Sequence, residues 1–295
     1  MKKAYLFPGQ GSQKTGMGAD HYRFNSDFQK RCDQANEILG YRLTDIMFEG
    51  PDTTLTQTKY TQPALFVHSF ALFELLGHKP DMVAGHSLGE YTALAASGVL
   101  AFEDALKAVQ RRGELMHDAG ETQPGSMAAI IGLDDEAVEK ICGEIHSEPD
   151  HVVIAANYNT KGQLVISGHA AAVDEAMERL KESGAKIVKK LPVSGAFHSP
   201  LMASAREELE VILDTLAFGI PSAGVYSNVT GTVSHDPEVI RENLKLQLLK
   251  PVRWAQTLQS MQQDGARHFV EVGSGNVLQG LVKRTLSGVG ISGFQ

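Results

Sequence analysis

Short apolar runs punctuated by glycine and proline alternate with longer stretches of helical periodicity through most of the chain. Ala4 to Phe7, Met82 to Ala84, Gly224 to Asn228 and Phe269 to Val272 read as buried strands. Phe24 to Leu39, Pro63 to Leu76, the segment after Ser87 to about Ala96, Phe102 to His117, Pro200 to Leu216 and Ile240 to Leu249 place apolar residues three or four apart, as amphipathic helices do. Strands alternating with helices predict an α/β fold around a parallel sheet. From Ser126 the texture changes. Strands at Met127 to Ile131, Val152 to Ala156, Leu164 to Ser167 and Lys186 to Leu191, with helices at Asp134 to His146 and Val173 to Glu182, give the order βαββαβ of a ferredoxin-like module. Gln123-Pro124-Gly125 and Pro192-Val193-Ser194-Gly195 bound it as linkers. The expected division is a large domain of residues 1–124 and 193–295, with residues 125–192 inserted.

Composition narrows the class without changing this layout. A chain of 295 residues, 42% hydrophobic and 21% charged, can bury a substantial core and does not suggest disorder. Cys32 and Cys142 have neither metal-ligand nor redox-pair spacing, so no metal site is expected and a reducing compartment is. No apolar run approaches the ~20 residues of a membrane span. The apolar part after Met1-Lys2-Lys3 is too short for a signal peptide and reads as a first strand, so a cytoplasmic protein is expected. The formal charge of -8 argues against nucleic acid as main partner, while local positive charge could still hold acidic small molecules. A monomer is expected.

The candidate chemistry centres on Gly85-His86-Ser87-Leu88-Gly89. A strand before it and a helix after it are the context of a nucleophile elbow, in which Ser87 stands exposed on a strained turn. Glycine at 85 and 89 permits tight strand-helix packing, because a Cβ at either would crowd it. A serine nucleophile needs a base, and histidine suits neutral pH. Among 11 histidines, His198 stands out in Gly195-Ala196-Phe197-His198-Ser199-Pro200, where the chain returns from the insert; His86, on the sharp turn itself, points elsewhere. No acidic third member is evident, and a main-chain carbonyl could orient the imidazole equally well. Pro8-Gly9-Gln10-Gly11-Ser12-Gln13 is a loop whose N–H groups can approach a ligand, and it lacks the lysine and hydroxyl of a Walker phosphate loop. Arg111 and Arg112 lie late in a helix, where arginines are ordinarily solvated.

Together with Gln110-Arg111-Arg112-Gly113, Ala156-Asn157-Tyr158-Asn159, Val165-Ile166-Ser167-Gly168 and Pro251-Val252-Arg253-Trp254, these motifs make the chain resemble the malonyl-CoA:acyl carrier protein transacylases from about Ala4 to Thr285. The resemblance implies an α/β-hydrolase-like domain with a ferredoxin-like insert. It implies that Ser87 accepts malonyl from malonyl-CoA and passes it to the phosphopantetheine thiol of an acyl carrier protein, with His198 as base and acid and no cofactor. It further implies an oxyanion hole at the backbone of Gln10 and Leu88, a main-chain acceptor for His198 near Gln247, and Arg112 as the holder of the malonyl carboxylate. Phe197 beside His198 resembles the malonyl-selective form of the loop rather than the Tyr-Ala-Ser-His form associated with methylmalonyl units. The alternatives are a serine thioester hydrolase sharing elbow, histidine and oxyanion hole, and a non-catalytic carrier-protein-binding relative. Fatty acid synthesis and a polyketide synthase would both suit these motifs. Lys186, Lys189 and Lys190 are candidate contacts for an acidic carrier protein. The glycine-rich tail from Leu286 falls outside the resemblance and is expected to be a disordered end or the start of a linker.

Overall fold

A computed structural model describes residues 2–146, 151–193 and 195–295. Met1 and Ser194, the latter within the second expected linker, lie outside them. The strands in chain order are β1 (Lys2–Phe7), β2 (Met82–Gly85), β3 (Gly125–Ile131), β4 (Val153–Thr160), β5 (Gln163–His169), β6 (Ile187–Lys190), β7 (Gly224–Tyr226), β8 (Val233–Ser234), β9 (Ala266–Val272) and β10 (Gly290–Phe294). They form two sheets.

The first sheet has the order β10-β9-β1-β2-β7-β8, parallel throughout except for the short β8. Its central strands β1 and β2 are apolar on both faces, as strands covered by helices on both sides must be. One face packs on the helix Thr58–Leu76 through Tyr5, Phe7 and Val83; Ala4, Leu6 and Met82 bury the other face with Trp254, Leu258 and Phe269. The second sheet is antiparallel, in the order β4-β5-β3-β6, the ferredoxin-like arrangement expected of βαββαβ. The helices Asp135–Ile145 and Ala170–Glu182 cover one of its faces around Ala128, Ile130, Leu164 and Ile166.

The structure departs from the sequence pattern in the tail and at two helix starts. The tail is not a loose end, because β10 pairs in parallel with β9 from Gly290↔His268 to Phe294↔Val272. A glycine-rich run carries little strand signal of its own, and here the unpaired edge of β9 supplies the hydrogen-bonding partners. The helix expected from Pro63 begins at Thr58, so Pro63 lies inside it. The segment expected as one helix from Pro200 opens with a single 3-10 turn, Pro200–Met202, before the α-helix Ala203–Thr215.

Candidate active site

The chain turns from β2 into the helix Gly89–Ala96 within three residues, and the turn works only because backbones touch. A Cβ on Gly85 would overlap the main chain of Gly89, and one on Gly89 would overlap the carbonyl of Phe7. Ser87 between them sits in the left-handed region, φ 52°, and the one other non-glycine with positive φ among the described residues is His198, φ 59°. That conformation costs an L-residue free energy, so surrounding bonds must hold it. Asn228, fully buried just after β7, accepts from Ser87 N at 2.7 Å and donates to Gly85 O at 2.7 Å, bridging the turn from side to side. Gln247 Nε2 donates to Ser87 O at 3.0 Å.

Ser87 Oγ lies 2.8 Å from His198 Nε2, and His198 Nδ1 lies 2.8 Å from the main-chain oxygen of Gln247. Because that oxygen only accepts, Nδ1 carries the proton and Nε2 is left as the acceptor facing Ser87. Burial, reinforced by the neighbouring Arg112 cation, pushes the His198 pKa down to about 3, so the ring is neutral at physiological pH. Ser199, not His198, caps the turn that follows, accepting from Leu201 N. His86, also neutralised by burial, donates from Nε2 to Asn159 Oδ1 at 2.8 Å, away from Ser87.

Arg112 is fully buried, whereas Arg111 one position earlier is on the surface pairing with Glu114. A helix turns about 100° per residue, which sends the two side chains to different faces. Arg112 donates to Gln62 Oε1 at 2.7 Å, Gln247 Oε1 at 2.9 Å and Ser87 Oγ at 3.1 Å, with its guanidinium 5.5 Å from the centre of the Tyr91 ring. Burial lowers its pKa, but a guanidinium starts so high that it stays charged.

These groups form the floor of a cleft of about 350 Å³ between the two sheets. Gln10, Leu88 and Phe197 line it as well. The Gln10 side chain is turned away to Thr58 Oγ1 at 3.2 Å, and Leu88 is the N-cap of the elbow helix, where N–H groups point out of the helix end. Phe197 fits over Gly195, where a Cβ would come within 2.7 Å of its ring. The open face of the second sheet supplies Met127, Ala129, Val165 and Asn157 as the opposite wall. Of the site residues named from the sequence, Gln10, Ser87, Leu88, Arg112, Phe197 and His198 line this one cleft; Gln247 is buried behind Arg112, to which it is bonded, while Arg111 and the three lysines are outside it. Lys186, Lys189 and Lys190 are exposed on or beside the edge strand β6, and Lys190 pairs with Asp174 at 2.8 Å.

A model of the acyl transferase domain matches residues 4–292. The malonyl CoA-acyl carrier protein transacylase of Staphylococcus aureus is 41% identical over 295 residues, covering 100% of this chain and 96% of that protein. The chain belongs to the malonyl CoA-acyl carrier protein transacylase family. The solved transacylase of Coxiella burnetii superposes with a TM-score of 0.95 at 40% identity, covering 100% of this chain and 94% of that one. A malonyl-transacylase in complex with its type II PKS acyl-carrier protein gives 0.94 at 38% identity, covering 99% and 95%. The likeness to the transacylases runs past Thr285 into β10, further than the motifs alone indicated.

In this transacylase three buried polar residues escaped the sequence reading. Gln62 stands just before the helix expected from Pro63, and only the earlier start of that helix at Thr58 places it inside and turned to Arg112. Asn228 ended an expected strand but in fact follows it, free to reach the elbow 141 positions earlier. Glu90 is a fully buried carboxyl held by Gln247 Nε2 at 2.6 Å, and burial raises its pKa to about 7. Among the described residues no helix is long and apolar enough to cross a membrane.

Proposed function

We propose that the chain transfers a malonyl group from malonyl-CoA to the phosphopantetheine thiol of an acyl carrier protein, through a malonyl ester on Ser87. The observation that carries this reading is the buried Arg112 cation 3.1 Å from Ser87 Oγ. A planar fork so close to the nucleophile suits an acyl group that ends in a carboxylate.

In the first half-reaction His198 Nε2 takes the Ser87 proton as Oγ attacks the thioester carbonyl. The N–H groups of Gln10 and Leu88 receive the developing oxyanion, each worth ~3 kcal/mol by analogy with other oxyanion holes. The carbon–sulfur bond then breaks, and His198 gives its proton to the departing CoA sulfur. In the second half the carrier's thiol gives its proton to His198 and attacks the ester, and Ser87 leaves with that proton. Both halves balance with the serine, the histidine and two substrates, and they call for no cofactor. The carrier-bound relative supports the acceptor, and the free, buried Cys32 and Cys142 suit a cytoplasmic enzyme. Phe197 takes space that an α-methyl would need, a preference of only ~1–3 kcal/mol.

The test is mass spectrometry after mixing with malonyl-CoA. A malonyl adduct on Ser87, absent in Ser87→Ala and discharged to a carrier protein far faster than to water, is expected. Discharge mainly to water would make the chain a hydrolase, and no adduct at all would leave it a binding protein.

A further inference from the structure

One cation and one carboxyl group are fully buried in the site without touching. All three hydrogen-bond acceptors of Arg112 are neutral: Gln62 Oε1, Gln247 Oε1 and Ser87 Oγ. Glu90 accepts from Gln247 Nε2 at 2.6 Å and from Asn228 N at 3.4 Å. Between the two stands one amide, its oxygen toward the guanidinium and its nitrogen toward the carboxyl. A guanidinium only donates and an ionised carboxylate only accepts, so the two ends fix which way the amide faces.

A lone buried charge is costly, and an opposite charge nearby offsets that cost. Direct contact between Glu90 and Arg112 would place a carboxylate on the fork that an incoming carboxylate needs. The amide spacer keeps the compensation and leaves only neutral oxygens on the fork, which an incoming carboxylate can displace.

We propose that Glu90 is the buried counter-charge of Arg112 and, acting through Gln247, sets how strongly the site prefers acyl groups that carry a carboxylate. This rests on the malonyl-transfer reading and assigns it a further specificity-determining residue. With Glu90 ionised, a bound malonyl group leaves two buried anions around one cation. With Glu90 protonated, the same group meets an uncompensated cation. The charged or titratable groups bearing on Glu90 are Arg112, from the helix Phe102–Thr122, and its chain neighbour Tyr91; Ser227, Asn228 and Gln247 are neutral. Burial already holds the Glu90 carboxyl near pH 7, against the pull of those donors and of Arg112. A second carboxylate on Arg112 raises it further, so malonyl loading takes up a proton from solvent at Glu90 and acetyl loading does not.

The sign follows from that linkage. Preference for malonyl over acetyl is strongest below pH 7 and declines as Glu90 ionises. The experiment measures the ratio of malonyl to acetyl loading on Ser87 between pH 6 and 8.5 in the wild type, Glu90→Gln and Glu90→Asp. The wild-type ratio is expected to fall about tenfold across the range, as one added pKa unit implies. Glu90→Asp should keep a slope; Glu90→Gln should be flat and exceed the wild type at pH 8.5. Equal slopes in the wild type and Glu90→Gln, or a flat wild type, would overturn the proposal. If Glu90→Gln does not fold, an indicator dye in weak buffer reads the wild type directly. Proton uptake at pH 7.5 with malonyl-CoA, absent at pH 5.5 and absent with acetyl-CoA, is expected, and equal proton traffic for both substrates would overturn it. Absence of malonyl from Ser87 at every pH defeats the transfer reading itself, whereas loading with a pH-independent ratio defeats only the role of Glu90.

Discussion

The two walls of the cleft treat positive charge in opposite ways. On the floor built by the first sheet, Arg112 is fully buried, and its terminal nitrogens are held by named oxygens. On the opposite wall, Lys189 stands exposed on the edge strand β6. A buried and oriented cation acts on the reacting group, because neither water nor salt screens it; an exposed one acts on the approach of a partner and is screened. This division predicts that the first wall governs what is transferred and the second which partner arrives.

The sharpest way to break this division is Arg112→Ala. It removes the cation and leaves Gln62 and Gln247 oxygens buried without a donor, so kcat/KM for malonyl-CoA should fall on the order of 100-fold more than for acetyl-CoA, which corresponds to about 3 kcal/mol of transition-state stabilisation. Equal losses in the two loading assays would reduce Arg112 to a packing residue. Asn228→Ala probes the same wall one layer deeper. Ser87 N and Gly85 O both lose their partner, and about 1–3 kcal/mol of stability should go with them, read as a lower melting temperature together with slower Ser87 acylation. An unchanged acylation rate would show that the strained turn holds without that bridge. The smallest effect is expected on the second wall. Strand pairing sets Lys189 beside Ala129 and Lys190 beside Ala128, and of these Ala129 lines the cleft while Ala128 faces the covering helices. Lys189→Glu should raise the carrier protein's KM a few-fold, on the order of 1 kcal/mol or less, with malonyl-CoA loading untouched. Lys190→Glu should do less, because its partner Asp174 lies on the helix side. Equal effects from both would mean that the carrier approaches the strand edge rather than the cleft.

What could be read from the chain depended on how near the cooperating residues stand in sequence. The elbow was legible because strand, serine and helix are contiguous, and its glycines announce close packing. The βαββαβ order was legible because each element has its own periodicity. Which arginine turns inward was not, since Arg111 and Arg112 differ only in helix phase relative to a neighbour the sequence does not display. The acceptor behind His198 is a main-chain oxygen, which every residue has, so only the family resemblance pointed to Gln247. Asn228 and Gln62 take their meaning from partners 141 and 50 positions away. The strand β10 is created by its neighbour's free edge, a property of the assembled sheet alone.

Among the described residues, the two non-glycines with left-handed backbones are Ser87 and His198. Such conformations cost on the order of 1–3 kcal/mol each, and glycine would relieve them. A campaign to make this molecule hardier by easing its backbone would reach those two positions first and would return a sturdier, inert protein. Backbone discomfort alone, with no knowledge of the chemistry, thus marks the same pair to which the proposed transfer assigns the reaction.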